Sequence, residues 1–288
     1  MQEYYVEVGT SNYRDDLYCK LDDLRSKEGL PFELYEQKNG ASYLVRCVYS
    51  TLKGKKGEDR LAQRIYNYYF AHALAEIIFK QWEVAFVKKI LKKEYSMSYK
   101  DIEMILEKSW QDLNSHNTYL PATKKHILIK SILEFLDSNK RLNIEGFMNF
   151  RADMYKREVR KQIASAVNSY MLAQEHQSFI SMLKKFIQKQ VTIFSTIHLI
   201  IKPQGEVVFL DDRGRNINKA CYSIPSDDKT NIELYEDSLI SAILKCAPRR
   251  LVVHSFTDNH NDMIQIINEV FENKISFCTG CPLCRVSD

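Results

Sequence analysis

Three cysteines near the C-terminus have a spacing that suits metal coordination. Residues 277–284 read FCTGCPLC, so Cys278, Cys281 and Cys284 form two overlapping C-x-x-C pairs. Thiolates are preferred ligands of zinc, copper(I) and iron–sulfur centres, and C-x-x-C is the usual first half of a zinc site. The spacing therefore predicts a thiolate metal site, with zinc as the expected ion.

A tetrahedral site needs a fourth ligand, and the elements before the cysteines indicate where it comes from. The patterns of Leu251–His254, Asp262–Phe271 and Lys274–Phe277 predict a βαβ unit. The two strands of such a unit run parallel, so His254 and Cys278 would leave the sheet at the same edge. His254 is therefore the predicted fourth ligand.

Other ligands stay open at this point. His260 follows in the predicted loop, and His198 and Cys246 are further donors that the sequence does not place relative to that edge. A ferredoxin-type cluster is disfavoured, because its spacing would put another cysteine at position 288, where the chain has Asp288.

The same cysteines allow two alternatives. C-x-x-C pairs lower thiol pKa values and cycle to disulfides, so a thiol-redox role that uses Cys281 and Cys284 is the first. Such pairs usually stand at the start of a helix that follows a strand, and we expect too little chain to remain here for a helix. The second alternative is that the thiols bind no metal and carry no chemistry.

Basic patches on predicted helices are the other feature that could bind a ligand. They comprise Lys88–Lys89 with Lys92–Lys93, Arg157 with Arg160 and Lys161, and Lys184–Lys185 with Lys189. They could lie against an anionic membrane surface, or they could contact phosphates, which makes a nucleic-acid-binding regulator an alternative function. We expect them instead to be solvated helix faces, because acidic residues are interleaved on the same helices. No Walker loop, G-x-S-x-G elbow, H-E-x-x-H or Rossmann fingerprint is present. An enzymatic activity is thus left undecided, with no positive support and no small-molecule substrate evident.

Composition places the chain among ordinary globular proteins. It has 288 residues, 45% hydrophobic and 27% charged, with a net charge of +4. That charge is lower than a dedicated nucleic-acid binder usually carries, so nucleic acid is an unlikely partner. The beginning of the sequence has no secretory pattern, and no stretch is apolar enough to span a membrane, so a cytoplasmic location is expected. In that reducing compartment Cys19, Cys47, Cys221 and Cys246 are expected to be buried apolar side chains rather than bridges.

Hydrophobic periodicity divides the chain into three predicted regions of a helix-rich α+β protein. Residues 1–52 form a small α/β unit with an Asn39-Gly40 hairpin, and the helical region covers residues 58–190. Residues 191–288 form a C-terminal α/β region, with a hairpin through Pro203–Gly205, a turn at Asp211–Gly214, the βαβ unit and the cysteine cluster.

Four stretches together resemble one family. They are EGFMNFR at 145–151, YMLAQEHQSFI at 170–180, the Ile197-His-Leu strand with FLDDRG at 209–214, and FCTGCPLC at 277–284. In this order they resemble the YtxC-like sporulation proteins of endospore-forming bacteria, over roughly the last two-thirds of the chain. The resemblance implies a cytoplasmic protein with a role in sporulation. It implies no activity and no catalytic residue.

The resulting hypothesis is a sporulation-associated, non-enzymatic interaction protein. Its helical region would contact a protein partner, which the sequence does not identify, and its C-terminal cysteines would hold zinc as a structural element.

Overall fold

A computed structural model describes residues 2–51, 56–110, 119–202, 207–221, 232–255 and 261–285. The chain divides into two compact units, Met1–Met171 and Leu172–Asp288. No helix within the described ranges is long and apolar enough to cross a membrane. Helices dominate and two small mixed sheets accompany them, so the predicted helix-rich α+β class is confirmed.

The first unit contains a four-stranded sheet of order β2-β3-β1-β4. Its strands are β1 (Gln2–Thr10), β2 (Glu33–Asn39), β3 (Ser42–Thr51) and β4 (Arg141–Asn143). The Asn39-Gly40 hairpin is confirmed, because β2 and β3 pair antiparallel and Gly40 has a φ of +61°. β4 pairs parallel with β1 and was not predicted, because three residues are too few to show an alternating pattern.

Helices make up the rest of this unit. They are α1 (Arg14–Ser26), α2 (Lys56–Ile77), α3 (Glu83–Lys93), α4 (Tyr99–Met104), α5 (Tyr119–Ser138), α6 (Ile144–Phe150) and the first half of α7 (Asp153–Lys189). A π-helical segment, Ile78–Trp82, joins α2 to α3, and a second one, Ile105–Trp110, follows α4. One hydrophobic core runs from the β1–β4 sheet through these helices.

Two helix starts show how local sequence fixes these elements. Ser98 and Asp101 form a reciprocal capping box at the start of α4. Asn143 caps α6 by accepting a hydrogen bond from the Gly146 N–H at 2.7 Å. The two helices are separate: α6 ends at Phe150 and α7 begins at Asp153.

The second unit contains a sheet of order β6-β5-β7-β8. Its strands are β5 (Thr196–Ile201), β6 (Val207–Asp211), β7 (Arg250–Ser255) and β8 (Ile275–Phe277). Its helices are the second half of α7, then α8 (Asn218–Cys221), α9 (Ile232–Cys246), α10 (Asn261–Phe271) and α11 (Pro282–Arg285), with a 3-10 turn at Glu272–Lys274. β7 pairs parallel with both β5 and β8, so the predicted βαβ unit is confirmed.

Both predicted turns belong to this unit. β5 and β6 pair antiparallel as expected, while the hairpin residues Pro203–Gly205 lie outside the described residues. The Asp211–Gly214 turn is confirmed: the Gly214 N–H donates to the Asp211 carbonyl at 3.0 Å, and Gly214 has a φ of +74°.

Two expectations about the cysteines are wrong. Cys19 is exposed on α1 rather than buried, because it lies two positions from Leu17 and Leu21, which form the buried face of that helix. Cys47 is buried as expected.

Cys221 and Cys246 are both buried, as expected, but their sulfurs are paired as a disulfide that joins the end of α8 to the end of α9. Their Cα atoms are 6.1 Å apart, a spacing typical of bridged cysteines. Periodicity could not show this pairing, because the two residues are 25 positions apart in sequence.

The three-region domain organisation stays a prediction, since compactness does not establish which segments fold alone.

Candidate metal centre

Three donor side chains converge at one edge of the β5–β8 sheet. His254 lies near the end of β7, and Cys278 directly follows β8. The Cys278 N–H donates to the Val253 carbonyl at 2.9 Å. The ligand atoms of His254, Cys278 and Cys281 all lie within 4.8 Å of one another. His254 and Cys278 lie close together because β7 and β8 pair parallel, as predicted from the sequence.

Distances within the group suit a tetrahedral zinc ion. Cys281 Sγ lies 3.7 Å from His254 Nδ1. Zn–S bonds of about 2.3 Å and Zn–N bonds of about 2.05 Å, opened at a tetrahedral angle, place sulfur and nitrogen about 3.5 Å apart. An ion could therefore bind between the two atoms with little movement of either side chain.

A short loop holds the two thiols in position. Gly280, between them, has a φ of +125°, which L-residues rarely adopt. Its N–H donates to Cys278 Sγ at 3.4 Å. A backbone donor at a sulfur stabilises the thiolate, which is the form that binds a metal.

His198 supports the site from the neighbouring strand β5. Its Nδ1 lies 3.1 Å from His254 Nε2, the ring nitrogen that does not face Cys281. Metal-bound histidines almost always use their second ring nitrogen in such a hydrogen bond, which fixes the tautomer and the ring orientation. His198 thus contacts the side of the His254 ring that faces away from Cys281, whereas the sequence allowed it as a possible metal ligand.

Electrostatics at the two histidines favour the neutral imidazole. Burial lowers the pKa of His254, and the neighbouring His198 lowers it further. The pKa of His198 is also lowered, by burial and then by the positive charge of Arg250. A neutral imidazole is the form that donates a lone pair to a metal.

The remaining candidate ligands are placed as follows. Cys284 lies in α11, three residues after Cys281, and its side chain is outside the described part of the structure, as is the whole of His260. Cys246 belongs to the disulfide with Cys221 and is no candidate. Cys284 thus stays the predicted ligand that would complete a Cys3His set with the three converging residues.

The end of the chain corrects one expectation that bears on redox chemistry. A one-turn helix does form at the thiols: α11 begins at Pro282, immediately after Cys281, and contains Cys284. The expectation that too little chain remains for a helix is therefore wrong, since one turn requires only about four residues. The redox alternative therefore keeps a structural basis.

A family model for the YtxC-like family matches residues 68–276. The chain belongs to the YtxC-like family. This range covers most of the sequence and includes three of the four stretches that carried the resemblance. It ends just before Cys278, so membership of the family is no argument for or against a metal at the cysteines. The chain matches no solved structure, and it matches none of the curated proteins.

Proposed function

We propose that this YtxC-like protein is a sporulation-associated, non-enzymatic interaction protein of the cytoplasm whose C-terminal sheet edge binds a structural zinc ion. The observation that carries the proposal is the convergence of His254, Cys278 and Cys281. His254 comes from β7, and both cysteines come from the segment that follows β8, so an ion between them would tie the end of β8 to β7. A structural site is closed by four protein ligands, and Cys284 is the proposed fourth.

Metal content tests the zinc proposal. Protein purified without added chelator or metal should contain about one zinc ion per chain by plasma mass spectrometry. Cys281→Ser should lose nearly all of it, because a serine hydroxyl does not replace a thiolate. Cys19→Ser is the matched control: Cys19 is exposed in α1, and its replacement should leave the zinc content unchanged. Metal-free wild-type protein, with no zinc taken up on addition, would contradict the proposal.

A thiol-redox function is the second candidate, supported by the closeness of Cys281 to His254, whose Nδ1 lies 3.7 Å from the Cys281 Sγ. A neutral imidazole at this distance can accept the thiol proton and so activate the sulfur. Metal-free protein would then show rapid alkylation of Cys281 below neutral pH and a reversible disulfide with Cys284. Alkylation at the rate of Cys19 would remove this candidate.

An exposed apolar face of α7 supports the proposal that the protein binds a protein partner. Ile180, Leu183 and Ile187 of this helix are buried in the core of the second unit. Another face exposes Leu172, Phe179, Met182 and Phe186, each between 42% and 67% accessible. A helix that is apolar on two faces usually buries both. The spacing of seven, three and four residues resembles a coiled-coil seam, and a second copy of the chain would present an identical seam.

We therefore propose self-association through this face. Light scattering should give a dimer mass for the wild-type protein and a monomer mass for Phe179→Glu/Phe186→Glu. Tyr35→Glu/Tyr99→Glu, which alters exposed aromatic residues of the first unit, should remain dimeric. A monomeric wild-type protein at 100 times its cellular concentration would contradict self-association.

A further inference from the structure

A cavity of about 640 Å³ lies within the first unit and belongs to neither the metal centre nor the α7 seam. Trp82, Phe86 and Lys89 line it from the π-helical segment and α3. Asp153, Arg157 and Arg160 line it from the beginning of α7. Its volume is in the range of small-molecule sites. Two basic patches that are 64 or more residues apart in sequence thus meet in one concave site.

The charges in this cavity are only partly compensated. Lys156 pairs with Asp153 at 2.7 Å, and Arg160 pairs with Glu94 at 2.6 Å. Lys89 and Arg157 make no ion pair with any carboxylate in the described part of the chain. The four cations and two carboxylates leave a formal charge of +2. That charge matches a phosphate monoester, which carries about −1.5 to −2 at neutral pH.

Aromatic rings form the other part of the lining. The Trp82 and Phe86 rings stack with centroids 4.6 Å apart and planes inclined by 18°. The Arg160 guanidinium lies over the Phe86 ring, 5.6 Å from its centroid. Tyr13 adds a third, half-buried ring. Such rings provide a flat apolar surface on which a planar ligand group can stack.

A buried polar cluster fixes the two helices that form the cavity. Glu83, next to Trp82, accepts hydrogen bonds from Lys124 of α5 and Tyr155 of α7. Lys124 also donates to Gln162 of α7 at 2.9 Å. The cluster joins α3, α5 and α7 and holds the lining residues in place without a ligand, which lowers the entropic cost of binding. The adjoining π-helical turn, Ile78–Trp82, is of a kind found frequently at functional sites.

We infer that this cavity binds a small phosphorylated ring compound of the nucleoside monophosphate class. Lys89 and Arg157 would contact the phosphate, and the ring would stack against Trp82. A nucleic-acid strand is the competing ligand, and we favour the small compound because cations and stacked rings meet in one concave site of about 640 Å³. This inference stands apart from the zinc and self-association proposals.

Tryptophan fluorescence gives a direct test. The chain has two tryptophans, so Trp110→Phe leaves Trp82 as the single reporter in the cavity. In that background, titration with adenosine or guanosine 5′-monophosphate should quench Trp82 and saturate. Adenosine alone and inorganic phosphate alone should each bind at least about tenfold more weakly, because each makes only part of the contacts.

Matched variants assign the binding to the cavity. Lys89→Gln/Arg157→Gln should weaken nucleotide binding by about tenfold or more, since charge-assisted hydrogen bonds to the phosphate are lost. Lys92→Gln/Arg151→Gln removes the same charge from exposed positions outside the lining and should change the affinity less than about twofold.

Three results would overturn the inference. The first is no saturable quenching by either nucleotide at millimolar concentration. The second is an equal loss of affinity in the two double variants, which would indicate general charge attraction. The third is tighter binding of a 20-nucleotide single strand than of the mononucleotides, with a steep salt dependence, because that is typical of a nucleic-acid surface.

Discussion

Lys124 is as deeply buried as any charged residue in the described structure: like Glu83, it is 1% exposed. Its Nζ donates to Glu83 Oε1 at 2.7 Å and to Gln162 Oε1 at 2.9 Å, and it lies over the Phe79 ring. Burial lowers the pKa of Lys124 and raises that of Glu83, while the attraction between the two charges acts in the opposite direction on both. Each group is thus tolerated in the core because of the other.

Removing one partner of this pair should therefore be costly. Lys124→Met is expected to lower the free energy of unfolding by about 3–5 kcal/mol, because it leaves Glu83 without its counter-charge. Glu83→Gln/Lys124→Met should cost clearly less than the sum of the two single substitutions. Urea unfolding followed by tryptophan fluorescence measures these values, since both tryptophans belong to the first unit.

Lys130→Met is the matched control for this cycle. Lys130 lies on the same helix and pairs with Glu134 at 3.9 Å, but both side chains are about two-thirds exposed. Loss of such a pair should change the free energy of unfolding by no more than about 0.5 kcal/mol. A similar cost at positions 124 and 130 would refute the account of the buried cluster.

His198 gives the second prediction at residue scale. His198→Phe should weaken zinc affinity by about 10–100-fold while leaving the zinc content at saturating metal near one per chain, because His198 orients His254 rather than binding the ion. Competition with a chromophoric chelator measures the affinity. His198→Asn, which offers a hydrogen-bonding side chain, should recover part of it. Complete loss of zinc in His198→Phe would indicate instead that His198 is itself a ligand.

Among the elements, the turn after β6 shows how side chains stabilise a connection that the sequence predicted. Asp211 is buried and accepts hydrogen bonds from the backbone N–H groups of Arg213 and Arg215, each at 2.9 Å. The Arg215 guanidinium also donates to it at 2.8 Å. These contacts, chiefly those from Arg215, lower the pKa of Asp211.

A lowered carboxylate pKa has a definite consequence for stability. The ionised form is favoured in the folded state, so its contribution is present above the ordinary pKa of about 3.9 and is lost as the pH falls through the lower folded value. Asp211→Asn should thus lower the melting temperature of the second unit at pH 7. That difference should shrink steadily below about pH 4.

The exposed neighbour provides the comparison for this turn. Asp212→Asn should leave the melting temperature within about 1 °C of wild type at pH 7, because surface substitutions away from such contacts usually have little effect. A constant difference between wild type and Asp211→Asn from pH 7 to pH 3 would show that the ionised carboxylate contributes nothing.

At the scale of the whole molecule, the proposed zinc ion should affect the two compact units differently. Its ligands all belong to Leu172–Asp288, at the junction of β7 and β8. An ion that binds only the folded state stabilises the elements that carry its ligands. Chelation should therefore raise amide hydrogen exchange in β7 and β8 by about tenfold or more and leave β1 and β3 unchanged.

Cys281→Ser provides the control for this experiment, because it should exchange at the fast rate with or without the chelator. Equal exchange in wild-type β7 and β8 before and after chelation would show that no structural ion is present. Faster exchange in β1 and β3 as well would show that chelation acts on the chain in general.

Local sequence by itself determined the helix-rich α+β class and most of the elements, β4 excepted. The Asn39-Gly40 hairpin, the Ser98 capping box, the Asp211–Gly214 turn and the βαβ unit all follow from residue types within a few positions of one another. The meeting of His254 with Cys278 was also predictable, because parallel strands bring their ends to one edge.

Only the tertiary structure decided the contacts between distant residues. It paired Cys221 with Cys246, placed His198 behind His254, and added β4 to the first sheet. It also brought Lys89 and Arg157 to one cavity and joined Lys124 to Glu83 in the core. The hydrophobic periodicity of a sequence indicates which face of a helix or strand is apolar, but not which other element packs against that face. The sequence therefore identified the cysteine donors, and the tertiary structure decided that His254 lies beside them while His198 contacts the second ring nitrogen of His254.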